Sequence, residues 1–339
     1  MRALFILDYS HSLYEKVVTS PHPFTGQPQE TLASPQHEDS IAAFARWAAA
    51  SAKHFHSHHI IWEIWNEPNI QFWSPKPDAA QYTALALATC KAVRAAEPNA
   101  TVVGPASSRF PWEFLETFLK SGALDYLDAV TVHPYRDKSK PPETAAADYE
   151  KLRLMIDRYS PESKKGHIPI LSGEWGYSSH QNGVSQDTQA AFAARQQLSN
   201  LLNGVPLSIW YDWKNDGEDP KENEHNFGTV SYDLQKKPAY GAIQKFTHEL
   251  GGYGIARRVS LESEKDYVLI CTNTAGVQKL VAWTTGENHS CQVPLRPKDS
   301  QSTAENKQRL PFSPINFDSL GVELKVEPQY ISLKGNFRN

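Results

Sequence analysis

A chain of 339 residues is long enough for one barrel-sized domain and a small appendage. Hydrophobic residues at 40% and charged residues at 21% are the proportions of an ordinary globular protein. A net charge of -4 removes the electrostatic motive for binding nucleic acid or an anionic membrane.

Aromatic residues reach 11% and include nine tryptophans. Flat aromatic faces stack on the C–H faces of sugars, and they also fill cores, so this enrichment fits a carbohydrate site without proving one. The three cysteines match no zinc or redox spacing, and they are expected as unpaired thiols, with Cys90 in a core. The opening run, Met1 to Asp8, is too short for a secretory signal, and no stretch has the length of a membrane span. The expectation is a cytoplasmic protein without cofactor or metal.

Strand and helix patterns alternate along the first 250 residues. A strand at 3–9 precedes a helix at 38–55, and a strand at 60–65 precedes a helix at 78–96 with Asp78 placed as its N-cap. The pairs 101–105 with 111–120, 129–133 with 144–159, 168–174 with 186–202, and 207–213 with 238–249 complete six β/α units. After Gly251 and Gly252 the texture changes to short strands at 267–271, 279–283, 291–295, 322–326 and 330–333. A polar stretch at 296–307 reads as a flexible loop between them. The expected fold is α/β: an incomplete (β/α)8 TIM-type barrel over residues 1–250, then a small antiparallel, sandwich-like β domain over 251–339. Six strands leave a gap that eight would close.

Two strands end on glutamates. The first runs Ile60-Ile61-Trp62-Glu63-Ile64-Trp65-Asn66-Glu67-Pro68-Asn69, and the second Ile170-Leu171-Ser172-Gly173-Glu174-Trp175-Gly176. A period of two puts Glu63, Trp65 and Glu67 on one face, and Ile170, Ser172 and Glu174 on one face. Carboxyls at the C-terminal ends of two parallel strands suit glycoside cleavage, which needs an acid and a nucleophile or base. Glu63 shares that face one step deeper and reads as a structural carboxylate paired with a base such as an arginine.

The run Trp65–Asn69 resembles the acid/base motif of clan A retaining glycoside hydrolases, and Ser172 to Gly176 resembles their nucleophile strand. Families 39 and 5, the cellulase-like group included, are the nearest in pattern, over most of residues 1–250, with a family 39-like side domain after it. The resemblance implies that Glu67 is the acid/base, Glu174 the nucleophile, and Asn66 a ligand of the sugar 2-hydroxyl. It implies that His133 and Tyr135, closing another strand, bond the nucleophile or the sugar, and that Trp210 is the stacking platform, with Trp213 as rival. Trp73, Trp112, Trp175 and Tyr177 follow strands and suit either outer subsites or core. The acid-rich loop 214–227, with Asn215, Asp216, Glu224 and His225, suits a lid, a solvated loop or a weak calcium site.

In the clan the acid/base lies on strand four, so residues 3–9 correspond to strand three and the first two units are missing from this chain. A shortened gene, completion by another subunit, or a natural open barrel would each account for this. Exposed edges invite pairing, so a homodimer is expected. The expected substrate is a glycoside or an oligo- or polysaccharide, cleaved at β-linkages or their pentopyranosyl equivalents. The rival expectation is an impaired carbohydrate-binding or assembly protein derived from such an enzyme.

Overall fold

The computed structural model describes residues 2–22, 25–295 and 319–333. The expected loop at 296–307 lies outside them.

The first strand, β1 (Leu4–Leu7), leads to a hairpin, β2 (Val17–Pro21) and β3 (Pro28–Leu32), before helix α1 (Glu38–His54). The chain continues through β4 (Ile61–Ile64), α2 (Ala79–Ala96), β5 (Thr101–Ser108), α3 (Trp112–Lys120), β6 (Ala129–His133) and α4 (Ala146–Tyr159). Then come β7 (Ile170–Trp175), α5 (Gln186–Leu202), β8 (Ser208–Trp210) and α6 (Pro238–Leu250). Six strands form one sheet in the order β1-β4-β5-β6-β7-β8, every pair parallel. This is the expected open α/β barrel sheet. All residues of β4 and β6 are buried, as in a sheet covered on both faces, and Glu63, Thr131 and His133 are polar exceptions within otherwise apolar strands.

Helix starts are set by side chains. Asp78 accepts the backbone N–H groups of Ala80 and Gln81, both at 2.9 Å, as the sequence predicts. At the start of α1 the buried Glu15 accepts from Gln36 N (3.0 Å) and Ser40 Oγ (2.6 Å), so an acid meets the positive helix end.

Two compact units divide the chain: Met1–Tyr177 with Ser199–Trp213, and Ser178–Leu198 with Lys214–Asn339. This division differs from the expected one at residue 250, because 178–198 and 214–250 fall with the second unit. The second unit holds an antiparallel sheet of β9 (Tyr253–Val259), β10 (Asp266–Asn273), β11 (Gln278–Thr284) and β14 (Gln329–Ser332). A two-stranded sheet of β12 (His289–Pro294) and β13 (Ser319–Leu324) shares its core. Val268, Ile270, Leu280 and Ala282 from one sheet pack in one cluster with Val293, Val322 and Leu324 from the other. That is the sandwich-like arrangement expected. All three cysteines carry free thiols, and Cys90 is fully buried.

Candidate active site

The chain leaves β4 through a strained turn. Trp65 (φ 65°) and Glu67 (φ 45°) are non-glycine residues in the left-handed region, a conformation retained only where the surroundings enforce it. Enforcement comes from both neighbouring strands. Trp65 N donates to Leu7 O at 3.0 Å, and Glu67 N donates to Ala106 O at 3.0 Å. Asn69 clamps the end of β5 twice, donating to Ser108 O (3.1 Å) and accepting from Ser108 N (2.8 Å). The alternation expected through residue 67 therefore stops at Ile64. Trp65 turns to pack on Tyr9, Phe44 and Trp73 instead of sharing a face with Glu63 and Glu67.

Glu63 and Glu67 converge on His133 from β6. His133 Nδ1 lies 3.0 Å from Glu67 Oε1, and His133 Nε2 lies 4.0 Å from Glu63 Oε2. The first is a hydrogen bond; the second, at that separation, is an ion pair. Glu63 and His133 have no solvent exposure. The expected basic partner of Glu63 is thus a histidine rather than an arginine. Burial pushes His133 towards its neutral form, but its pairing with Glu63 and Glu67 and the charge of Glu174 prevail and raise it to about 10. The ring is an imidazolium at neutral pH.

Glu174, at the end of β7, completes the cluster. One side-chain atom each from Glu67, His133 and Glu174 lies within 4.8 Å of the others. Tyr135 donates its hydroxyl to Glu174 Oε1 at 2.7 Å. Burial raises Glu174 above its ordinary value; the His133 charge and the Tyr135 hydrogen bond oppose that rise, and the charges of Glu67 and Glu63 add to it. Gly173 explains how β4 and β7 come so close. A Cβ there would stand 2.9 Å from Glu63 Oε1 and 3.3 Å from His133 Nε2.

Asn66, directly before Glu67, has its Oδ1 buried without a partner among the described residues. Glu67, Glu174, His133, Tyr135 and Asn66 are therefore brought together. The tryptophans behave differently. Trp73 is fully buried and donates its indole N–H to Gln81 Oε1 at 3.2 Å, so it belongs to the core rather than to an outer subsite. Trp175 is likewise fully buried, paired in register with Trp210 and tilted against Tyr177. Trp213 is exposed, and the β8-side ring standing beside Tyr135 is that of Tyr211, with centroids 6.5 Å apart. In the loop 214–227, Asn215 Oδ1 accepts from Lys237 Nζ at 3.2 Å, an internal tie.

Sequence reasoning missed Asp8, Tyr9 and Tyr211. Asp8 and Tyr9 follow β1 at its C-terminal end, where a parallel sheet presents its chemistry, and that position was their available signal. Asp8 is pushed up to about 6 by burial and by the charge of Glu63.

Comparison with known proteins bears on the fold and the family. A β-xylosidase of Geobacillus stearothermophilus is 26% identical over 205 residues, which cover 55% of this chain and 40% of that protein. The chain thus spans two fifths of the length of that relative. A family 39 glycoside hydrolase from the gut symbiont Bacteroides cellulosilyticus WH2 superposes with a TM-score of 0.74 at 23% identity, covering 98% of this chain and 68% of its own. A monomeric β-xylosidase from Caulobacter crescentus CB15 superposes with a TM-score of 0.51 at 21% identity, covering 73% and 53%. Both likenesses concern the fold. The family model for cellulase, glycosyl hydrolase family 5, matches residues 5–217, well over half of the sequence, a span that includes positions 67 and 174. On that match the chain belongs to the cellulase family, glycosyl hydrolase family 5.

Proposed function

We propose that this protein is a retaining glycoside hydrolase in which Glu174 is the nucleophile and Glu67 the acid/base. The observation that carries the reading is the closeness of the two carboxylates, whose nearest oxygens with His133 lie within 4.8 Å. Retaining enzymes hold their carboxyls about 5–5.5 Å apart, while inverting ones need roughly 6.5–9.5 Å to admit a water. A separation within 4.8 Å favours direct attack.

Glu174 attacks the anomeric carbon while Glu67 protonates the departing oxygen. Glu67 then removes a proton from water, which displaces Glu174 from the sugar. Since Glu67 Oε1 is occupied by His133 Nδ1, the transferred proton sits on Oε2. Tyr135 and His133 oppose the rise that burial imposes on Glu174. Asn66 Oδ1 accepts from a sugar hydroxyl. The β-xylosidase relative supports a β-linked xyloside, a pentoside, as substrate.

Hydrolysis of 4-nitrophenyl β-glycosides by the wild type and by Glu174→Ala tests the reading. Release by the wild type, lost in the variant and restored by azide as the α-glycosyl azide, is the expected result. Release that survives in Glu174→Ala would remove Glu174 from the nucleophile's role.

The two sheet edges, β1 and β8, support a homodimer as part of this reading. Phe5, Ile6, Leu13, Tyr14 and Trp47 are exposed in and around the β1 edge, an apolar surface beside unpaired strand groups. A dimer mass by light scattering at micromolar concentration is expected; a monomer mass rejects it.

A further inference from the structure

Helix α1 ends on a run of imidazoles that the reaction steps above do not use. From its last residue the chain reads His54-Phe55-His56-Ser57-His58-His59, and all four histidines are exposed. Short histidine-rich tracts are a composition suited to metal ions. The run sits just before β4, at the end of the sheet away from Glu67 and Glu174.

The turn that carries them is held from several sides. Phe55 N donates to Ser51 O at 3.0 Å and His58 N donates to Phe55 O at 2.9 Å, so the chain keeps winding past the helix end. Residues four apart on such a winding are neighbours, which places His54 and His58 on one side of the turn. Both rings stand edge-on to one phenyl ring, that of Phe55, with centroids 4.6 Å and 5.8 Å away. Phe55 in turn packs against Phe5 of β1 and Trp62 of β4, each with its centroid 6.3 Å away. Arg2 donates to His59 O at 2.9 Å and ties the far end of the turn to the chain before β1.

Hydrogen bonding selects two of the four rings. His56 is tied back: its Nδ1 meets Lys53 O at 3.0 Å, and a carbonyl only accepts, so that nitrogen carries the proton. His59 is left-handed (φ 53°) and turns the chain away into β4. His54 makes no hydrogen bond among the described residues. His58 meets Ser57 Oγ through Nδ1 at 3.3 Å, which leaves Nε2 unengaged. With the hydroxyl accepting from Nδ1–H, Nε2 presents a lone pair, the tautomer control common to metal-bound imidazoles. The carbonyl end of α1 adds negative partial charge beside both rings, which favours a cation there. Imidazole donors suit zinc, copper and nickel rather than calcium or magnesium.

We infer that the turn between α1 and β4 is a binding site for a divalent transition-metal ion, Zn2+ or its neighbours, gripped by His54 and His58. Among the described residues no third histidine, cysteine or carboxylate atom lies within 4.8 Å of such a pair, so water completes the shell. The bound ion ties the end of α1 to the start of β4, and the site is independent of the glycosidase reading. Calorimetry with ZnCl2 on the full chain tests it. One ion should bind, about tenfold or more weakly in His54→Ala and in His58→Ala, and with unchanged affinity in His56→Ala. The urea midpoint of the wild type should rise with added Zn2+, and that of the two weakened variants should rise much less. Midpoints without metal check that the three substitutions, all at exposed rings, leave the fold intact. No binding, or equal loss in His56→Ala, overturns the assignment. Binding that survives in His54→Ala and His58→Ala but is lost in Glu174→Ala puts the ion on the carboxylates, where Glu67, His133 and Glu174 converge, and overturns it too.

Discussion

His133 Nδ1 lies 3.0 Å from Glu67 Oε1 in the interior of the sheet, with Glu63 against the other ring nitrogen at 4.0 Å. A buried ring between two carboxylates fixes the orientation of Glu67. Removing one partner of such a buried pair leaves a charge uncompensated, which typically destabilises by about 3–5 kcal/mol.

The first prediction follows from that pairing. His133 is raised from 6.5 to about 10, against the pull of burial, by its carboxylate neighbours. A basic group raised on folding contributes stability in full below pH 6.5, and that contribution disappears as pH climbs through about 10. The urea midpoint should therefore fall across that window. Glu63→Gln weakens the pairing, so it should flatten the fall and bring the ring's titration, followed by NMR, to lower pH. A ring titration unmoved by Glu63→Gln would show that Glu63 does not act on His133.

Tyr135→Phe addresses Glu174. Burial raises the Glu174 carboxyl, and the Tyr135 hydroxyl is one of the two groups lowering it. Without that hydroxyl the nucleophile needs a higher pH to ionise. The acid limb of the kcat/KM profile should move to higher pH, and activity at neutral pH should drop by about tenfold, the worth of a hydrogen bond to a charged group. An acid limb that stays in place in Tyr135→Phe would assign that limb to another group.

Gly173→Ala tests the close approach of β4 and β7. The added Cβ meets Glu63 Oε1 at 2.9 Å and His133 Nε2 at 3.3 Å. Both neighbours are buried and held, so the contact cannot relax into solvent, and overpacking of this kind costs about 1–3 kcal/mol. A lower urea midpoint is expected, together with a shifted His133 titration. A variant as stable as the wild type, with its ring titration unmoved, would mean that the side chains re-seat freely.

Much of this was legible in the sequence, for identifiable reasons. The β/α alternation, the Asp78 cap and the glutamates closing two strands are local signals, written in periodicity and in residues next to turns. The hairpin of β2 and β3 was missed because Val17–Pro21 and Pro28–Leu32 carry prolines and polar residues that read as loop. Strand β9 was missed for a similar reason, since Arg257 and Arg258 interrupt its apolar face. The tryptophans failed differently. Whether Trp73 or Trp175 faces sugar or core depends on how a turn redirects the chain, and the left-handed Trp65 ends the alternation that sequence reasoning extends. His133 as the partner of Glu63 is a contact across the sheet interior, which no local pattern encodes.

Asp8→Asn offers a last test, from the opposite sign of linkage. Asp8 is raised from 3.8 to about 6, by burial first and by the charge of Glu63 second. An acid raised on folding favours the fold most below pH 3.8, loses that advantage between 3.8 and about 6, and then stays at the lower level. An asparagine keeps the shape and carries no charge, so the variant escapes this loss. At pH 7 to 8 Asp8→Asn should be more stable than the wild type by about 1 kcal/mol, after allowance for the side of Asp8 that faces solvent. At pH 3.5 the two should unfold alike. The same substitution removes a negative neighbour of Glu63, and Glu63 then has only His133 to answer its charge, so combining Asp8→Asn with Glu63→Gln should yield less than the sum of their separate effects. Urea unfolding of the two single variants and the double variant at pH 7.5 measures that coupling. Strict additivity would place Asp8 and Glu63 in separate electrostatic environments.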